Sequence, residues 1–181
     1  MTDTPPEPPS PAESPAPQTP AAETPAPQTP AHGPDVFTFP PVIFAIFLIM
    51  GYITDRGFPV AIGAPVLRQI AGGALIGLGV ALAGWAIARF RKAKTHLDVR
   101  KPATALVTDG PYRFTRNPMY VAASLLYAGI AVIFGKIFML AFLIPCLLLI
   151  DIFIIRREES YLDALFGEPY REFRRNVRRW L

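Results

Sequence analysis

The sequence GPYRFTRNPMY, Gly110–Tyr120, is polar and aromatic, yet it leads directly into the apolar run Val121–Phe134. Pro111 and Pro118 restrict the backbone of this loop, so it can hold its side chains in a fixed arrangement. Polar and charged groups beside a membrane are costly unless they are paired or bind a ligand. A stiff, donor-rich loop at the edge of an apolar run therefore indicates a binding site.

A second apolar run, Ile137–Ile155, follows after only Gly135 and Lys136, and it ends at the charged block Arg156–Glu159. Two apolar segments joined by so short a turn must be antiparallel. The hairpin therefore returns Arg156–Glu159 to the face from which Gly110–Tyr120 departs. We predict that the two polar blocks meet there and form an active site.

Two further apolar runs precede the hairpin. Val66–Phe90 is long enough to cross about 30 Å of hydrocarbon, whereas Phe39–Ile53 reaches a plausible length only when it is extended to Val36 and Thr54. A re-entrant or interfacial segment is the alternative for this first run. The sequence predicts an all-α, polytopic membrane protein of about four transmembrane helices, with a C-terminal helical hairpin and an amphipathic cytoplasmic tail helix. The predicted spans are approximately residues 37–54, 66–90, 119–134 and 137–155.

Basic residues are concentrated beside the apolar runs. The formal net charge is +4, but residues 1–35 carry five acidic residues and no Lys or Arg. Residues 89–116 hold eight basic residues against Asp98 and Asp109, which places this loop in the cytoplasm by the positive-inside rule. With four spans, both termini are then cytoplasmic. This charge pattern is typical of membrane topology rather than of nucleic-acid binding.

The N-terminal residues 1–35 are predicted to form a disordered Pro-rich tail, and residues 36–181 the membrane domain. The tail holds twelve prolines and a ten-residue repeat, AESPAPQTPA at 12–21 and AETPAPQTPA at 22–31. It has too little apolar surface to offset the entropy of ordering. The single cysteine, Cys146, lies in an apolar run and is predicted to be buried, and no Cys/His spacing suggests a metal site.

Two local patterns complete this description. Gly73 and Gly77 are spaced as in helices that approach closely in lipid, either within this chain or in a dimer, and we favour packing within the chain. In the tail, Gly167 and Pro169 break a first amphipathic helix. A second helix is predicted from Tyr170 to the end, with a basic face that suits the surface of an anionic leaflet.

Two ordered motifs resemble the isoprenylcysteine carboxyl methyltransferase family, which includes bacterial members and is related to the phospholipid N-methyltransferases. The first is LVTDGPYRFTRNPMY, Leu106–Tyr120, followed by the apolar hairpin. The second begins at Glu158-Glu159 and resembles the family ending EE-x-x-L-x-x-x-FG-x-x-Y-x-x-Y-x-x-x-V. The resemblance covers roughly Thr95 to Leu181.

The resemblance implies a methyltransferase embedded in a membrane, here a bacterial inner membrane, that uses S-adenosylmethionine without a Rossmann domain. Its partners would be the lipid bilayer and a lipophilic or lipidated acceptor, either an isoprenylcysteine-like carboxylate or a phospholipid-like molecule. Carried over by position, eight residues would line the cofactor pocket: Leu106, Val107, Tyr112, Asn117, Pro118, Met119, Tyr120 and Glu158. Arg116 and Arg157 would position the acceptor.

The chain departs from prenylcysteine methyltransferases at two positions, so the acceptor stays open. Asn117 stands where those enzymes usually carry His, and Ile154 where they place an arginine. The alternative function is a non-enzymatic four-span protein whose Pro-rich tail recruits a partner and in which Arg116 pairs with Glu158 to anchor the hairpin. A nicotinamide-dependent reductase ranks last, because no glycine-rich dinucleotide loop is present.

Overall fold

The computed structural model describes residues 39–58, 60, 62–93 and 105–181. The predicted Pro-rich tail and its repeat lie outside the described residues, as does the centre of the basic loop. The described residues form helices and no β-strand, so the all-α prediction is confirmed. The helices are α1 (Pro40–Gly57), α2 (Pro65–Lys92), α3 (Pro118–Phe134), α4 (Ile137–Ala141), α5 (Leu143–Ile150), α6 (Arg156–Phe166) and α7 (Glu168–Asn176).

Two short elements connect these helices. A 3-10 turn, Gly110–Arg113, precedes α3, and a π-helical turn, Asp151–Ile155, joins α5 to α6. Each of the three longest α-helices, α1, α2 and α3, begins with a proline, whose missing N–H costs nothing in the first turn. The sequence prediction that Pro118 begins a helix is therefore confirmed.

Two helical stretches among the described residues are long and apolar enough to cross a membrane: α2, and the continuous stretch Ile137–Phe166. Helix α3 is apolar but shorter, with 17 residues. The four-span topology is therefore not confirmed. The apolar sequence of the second stretch ends at Ile155, so the charged helix α6 lies beyond the part that can cross a bilayer.

Helices α2 and α3 pack through glycines. A Cβ atom added at Gly72 would lie 2.7 Å from the carbonyl oxygen of Gly129, and one added at Gly129 would lie 2.8 Å from that of Gly72. Gly79 is buried on the same face of α2. The prediction that Gly73 and Gly77 make this contact is wrong, because a Cβ atom at either would meet nothing within 4 Å.

A buried ion pair ties α1 to the turn between α3 and α4. Gly135 ends α3 in the left-handed conformation, with φ of 67°, which favours glycine. The next residue, Lys136, places its Nζ 2.6 Å from Oδ2 of Asp55, whose side chain is 1% exposed. The same Nζ lies 5.5 Å from the ring centre of Tyr52. These contacts fix the angle between α1 and the hairpin.

The main core lies between α1, α3, α5 and the π-helical turn. Its buried members are Ile43, Phe44, Tyr120, Tyr127, Cys146, Ile150, Ile154 and Ile155. Cys146 is completely buried, as the sequence predicted. Ile154 and Ile155, which directly precede α6, belong to this core, so the core positions the acidic residues at the start of that helix.

The C-terminal end differs from the predicted tail helix. Gly167, with φ of 58°, separates α6 from α7 as expected. However, α7 ends at Asn176, and Val177 is extended, with φ of −123° and ψ of 134°. Residues 177–181, which we call the C-terminal segment, fold back on the loop before α3. The prediction of a helix to the end is wrong because this segment gains hydrogen bonds with that loop.

Candidate active site

A cavity of about 760 Å³ opens between the ends of the long helices, within the range of roughly 300–1,000 Å³ that cofactor and ligand sites occupy. Its apolar wall includes Phe44 and Leu48 of α1, Ile87 of α2 and Leu126 of α3. Its polar wall comes from the loop before α3 and from the first turn of α6. The cavity therefore joins a charged end to a hydrophobic one.

All eight residues that the resemblance assigns to a cofactor pocket line this cavity. They are Leu106, Val107, Tyr112, Asn117, Pro118, Met119, Tyr120 and Glu158. Arg116 also lines it, whereas Arg157 is exposed on α6 and is not among the lining residues. The fold thus brings together two sequence motifs separated by the whole hairpin, although their roles stay a prediction.

The 3-10 turn positions Tyr112 against α2. Gly110 adopts φ of 62°, and a Cβ atom there would lie 2.8 Å from Nε of Arg89. The Arg89 guanidinium also lies 3.1 Å from a carboxylate oxygen of Asp109. The Tyr112 ring meets Phe90 edge-on, with ring centres 5.5 Å apart, and is 7% exposed. The turn is therefore held on the end of α2, and its tyrosine forms a wall of the cavity.

Glu158 lines the cavity next to two tyrosines, and its neighbour Glu159 lines it as well. The hydroxyl of Tyr120 donates a hydrogen bond to Oε2 of Glu158 at 3.2 Å. Burial raises the pKa of Glu158 to about 7; the Tyr120 hydrogen bond opposes this shift, and the neighbouring Glu159 charge adds to it. Burial and the Glu158 charge raise the pKa of Tyr112 far above its usual value. Near neutral pH the site therefore holds a titrating carboxyl beside a neutral tyrosine.

Glu159 is neutralised by arginines, in contrast to Glu158. Arg179 binds it through two hydrogen bonds, with Nη2–Oε2 of 2.6 Å and Nε–Oε1 of 3.0 Å. Arg116 approaches Oε1 of Glu159 to 3.2 Å without hydrogen-bond alignment. The alternative interpretation expected Arg116 to pair with Glu158; the structure shows the pairing with Glu159 instead. Among the described residues, Glu158 makes no ion pair.

The Asn117 side chain is hydrogen-bonded to the C-terminal segment. Its Nδ2 donates to the carbonyl oxygen of Arg179 at 3.0 Å, and the Thr115 hydroxyl donates to the same oxygen at 3.0 Å. The Asn117 backbone N–H donates to the Thr115 hydroxyl at 3.2 Å. Sequence reasoning missed Arg179, because it treated this residue as part of a basic helix face.

A family model for phospholipid methyltransferases matches residues 67–169, which is 103 of the 181 residues. The chain belongs to the phospholipid methyltransferase family. The matched range extends from α2 to the start of α7 and contains all eight predicted cofactor residues. The broader resemblance to membrane methyltransferases is thus confirmed, whereas the isoprenylcysteine branch is not. Family membership also disfavours the non-enzymatic alternative.

This phospholipid methyltransferase family protein also resembles an uncharacterized protein of Haemophilus influenzae, with 51% identity over 35 residues. That match covers 19% of this chain and 56% of the relative, so it spans little more than half of the relative's length. No solved structure matches the chain. Methyltransferases of this family generally use S-adenosylmethionine. Together, the family and the long apolar helices indicate a protein associated with membranes.

Proposed function

We propose that this protein is a membrane-embedded, S-adenosylmethionine-dependent methyltransferase that acts on a lipophilic acceptor. The observation that carries the proposal is Glu158, a carboxyl at the cavity wall that Tyr120 orients and that no cation neutralises among the described residues. A buried carboxylate needs a cationic or hydrogen-bonding partner. A cationic ligand meets that need.

The polar end of the cavity fits S-adenosylmethionine, which supplies an activated methyl group when bound. The Glu158 carboxylate would hold its ammonium group or ribose hydroxyls. The rings of Tyr112 and Tyr120 would face the sulfonium, since aromatic faces attract cations. Leu106 and Val107 offer apolar surface for the adenine ring. Methyl transfer is a direct displacement that depends chiefly on alignment, and the stiff loop before α3 provides it.

The apolar end of the cavity fits the chain of a lipid. Four apolar residues, Phe44 and Leu48 of α1 and Leu126 and Ile130 of α3, line this end of the cavity. The outer face of α1 is also apolar, with Ile53 62% exposed. A hydrocarbon chain could therefore pass from the surrounding lipid into the cavity while its head group reaches Glu158.

Among lipophilic acceptors, the charge of the site favours a phospholipid-like amine. The ionised Glu158 would repel an acceptor carboxylate, whereas it can receive the proton that an amine loses as its nitrogen bonds to the methyl carbon and the carbon–sulfur bond breaks. Arg116 lines the cavity, and its guanidinium is a charged hydrogen-bond donor there. This donor suits a phosphate oxygen of the acceptor. It equally suits an isoprenylcysteine-like carboxylate, which is therefore the second candidate.

The proposal places the protein in a bacterial inner membrane with the cavity at the cytoplasmic face. Arg89, Arg91 and Lys92 lie in the last turn of α2, and Phe90 of that turn lines the cavity. Basic residues at a helix end favour the cytoplasmic side, where S-adenosylmethionine is made. With four spans, both termini would share that side.

The test is transfer of a labelled methyl group from S-adenosylmethionine to a total membrane-lipid extract, with identification of the product by mass. We expect a labelled phospholipid with one or more added N-methyl groups. Glu158→Gln should abolish labelling. The control Arg174→Gln also removes one charge, but at an exposed position, and it should label as wild type does. The proposal fails if the purified wild-type protein labels no lipid, or if Glu158→Gln labels as well as wild type.

A further inference from the structure

The C-terminal segment packs against the loop before α3, which lines the cavity. Its backbone accepts a hydrogen bond from the Arg116 N–H at the carbonyl oxygen of Arg178, at 2.9 Å. The Arg179 carbonyl accepts two more, from the side chains of Thr115 and Asn117. Trp180 packs against the main core. The backbone of this segment is thus fixed against the loop that carries the cofactor motif, and its Trp180 side chain is fixed against the main core.

The Arg179 side chain uses all three guanidinium nitrogens on two acids. Nε and Nη2 bind Glu159, and Nη1 lies 3.2 and 3.3 Å from the two carboxylate oxygens of Asp151. Asp151 and Glu159 are eight residues apart, whereas two α-helical turns take about 7.2 residues. The π-helical turn between them absorbs the extra residue. It therefore brings both acids to one side of the helix, where a single arginine reaches them.

We infer that Arg179 is a positioning residue that binds Glu159 and thereby fixes Glu158 towards Tyr120. Neighbouring helical residues point about 100° apart, so fixing Glu159 on Arg179 also sets the direction of Glu158. The inference rests on the proposed function, because it assigns Arg179 a part in the same site. It adds a residue beyond the stretch that the family model matches.

The electrostatics give this role a measurable consequence. The Glu159 charge is already one cause of the raised pKa of Glu158, and Arg179 is its closest cation. Without Arg179, less of the Glu159 charge is compensated, and the pKa of Glu158 rises further. The titratable and charged groups that face these two acids come from the loop, α3, α7 and the C-terminal segment: Tyr112, Arg116, Tyr120, Tyr170 and Arg179. Of these, only Arg116 would remain as a cation.

The experiment compares full-length wild type, Arg179→Gln, Arg179→Lys and the control Arg174→Gln in methyl transfer to the lipid extract between pH 5.5 and 9. We expect Arg179→Gln to lower kcat/KM by roughly ten- to a hundredfold, as loss of an orienting partner does for metal ligands. We also expect the acidic midpoint of its pH profile to move to higher pH. Arg179→Lys should return the midpoint to the wild-type value but not the full rate, since Lys lacks the guanidinium fork. Arg174→Gln should match wild type.

The outcomes separate this inference from the proposed function. An inactive wild type would contradict the function itself. An active wild type with an Arg179→Gln variant that keeps its melting temperature, its kcat/KM and its pH midpoint would overturn the role of Arg179. If Arg179→Gln fails to fold, Arg179→Lys decides: a reduced rate at an unchanged midpoint supports the inference, and a full wild-type rate overturns it.

Discussion

Replacing Glu158 with Gln should make the ligand-free protein more stable at pH 8 although it removes function. Burial raises the pKa of Glu158 from 4.5 to about 7, and one pKa unit corresponds to about 1.4 kcal/mol. The folded state therefore holds the ionised carboxylate at a cost of about 3 kcal/mol. Glu158 is partly accessible at the cavity, and solvent screening there reduces the expected cost to about 2 kcal/mol.

The size of this effect depends on pH. The folded protein binds the Glu158 proton more tightly than the unfolded chain does, so the cost is absent below pH 4.5, grows as the pH rises, and is complete above pH 7. A neutral Gln carries no such cost. The stability of wild type should thus fall between pH 5 and pH 8 relative to that of Glu158→Gln.

The assay is thermal unfolding in detergent, followed by intrinsic fluorescence at pH 5 and pH 8. For a chain of this size, 2 kcal/mol corresponds to roughly 4–8 °C, and most of this gain should appear at pH 8 and little of it at pH 5. The matched control is Glu159→Gln, which leaves Arg179 and Arg116 beside an uncharged group and should lower the melting temperature. If both substitutions destabilise the protein equally at pH 8, the distinction between an unpaired and a paired carboxylate is wrong.

Three further predictions concern the fold and the apolar end of the cavity. Gly129→Ala should lower stability by about 1–3 kcal/mol in thermal unfolding, because its Cβ atom would lie 2.8 Å from a carbonyl oxygen of α2; Gly73→Ala, which meets nothing within 4 Å, should be neutral. Lys136→Met should lower the stability by about 3–5 kcal/mol, because it leaves Asp55 buried without its cation. Adding Asp55→Asn should recover most of that loss. Equal stability of the single and double variants would contradict the pairing. Leu48→Trp should raise the KM for the acceptor roughly tenfold and leave the Kd for S-adenosylmethionine unchanged, since Leu48 lies in the apolar wall of the cavity. Weaker binding of S-adenosylmethionine would show that the polar and apolar ends of the cavity are assigned to the wrong ligands.

The polar wall of the cavity could be predicted from the sequence because its parts are local. Gly110–Tyr120 is one continuous stretch, and a short turn at Gly135 is enough to infer that the hairpin brings Glu158 back to it. The proline at position 118 and the glycine at position 167 mark helix ends by their own backbone preferences. Such signals do not depend on what lies across the fold.

The contacts that could not be predicted join residues far apart in the chain. The Asn117 side chain binds the Arg179 carbonyl across 62 residues, and Lys136 meets Asp55 across 81. No periodic pattern encodes such a partner. The glycines of α2 show the same limit, because Gly72 and Gly73 both lie in small-residue rows and only the position of α3 decides which row packs.

The number of membrane spans does not follow from the sequence because one of the apolar helices is short for a bilayer. Helix α3 has 17 residues, which is about 26 Å at 1.5 Å per residue, less than the roughly 30 Å of a bilayer core. It is nevertheless packed closely along α2. Length and composition alone therefore count two spans, although the helices form one bundle.

The central claim is that Glu158 binds a cationic methyl donor in the cavity, and the most direct measurement is calorimetric titration of the purified protein with S-adenosylmethionine at pH 6.5. Titrations in two buffers of different ionisation enthalpy report the protons exchanged on binding. A cation beside Glu158 favours its charged form, so we predict saturable binding to one site with release of a fraction of a proton, and neither in Glu158→Gln. Absence of saturable binding, or binding by Glu158→Gln with wild-type affinity, would contradict the account.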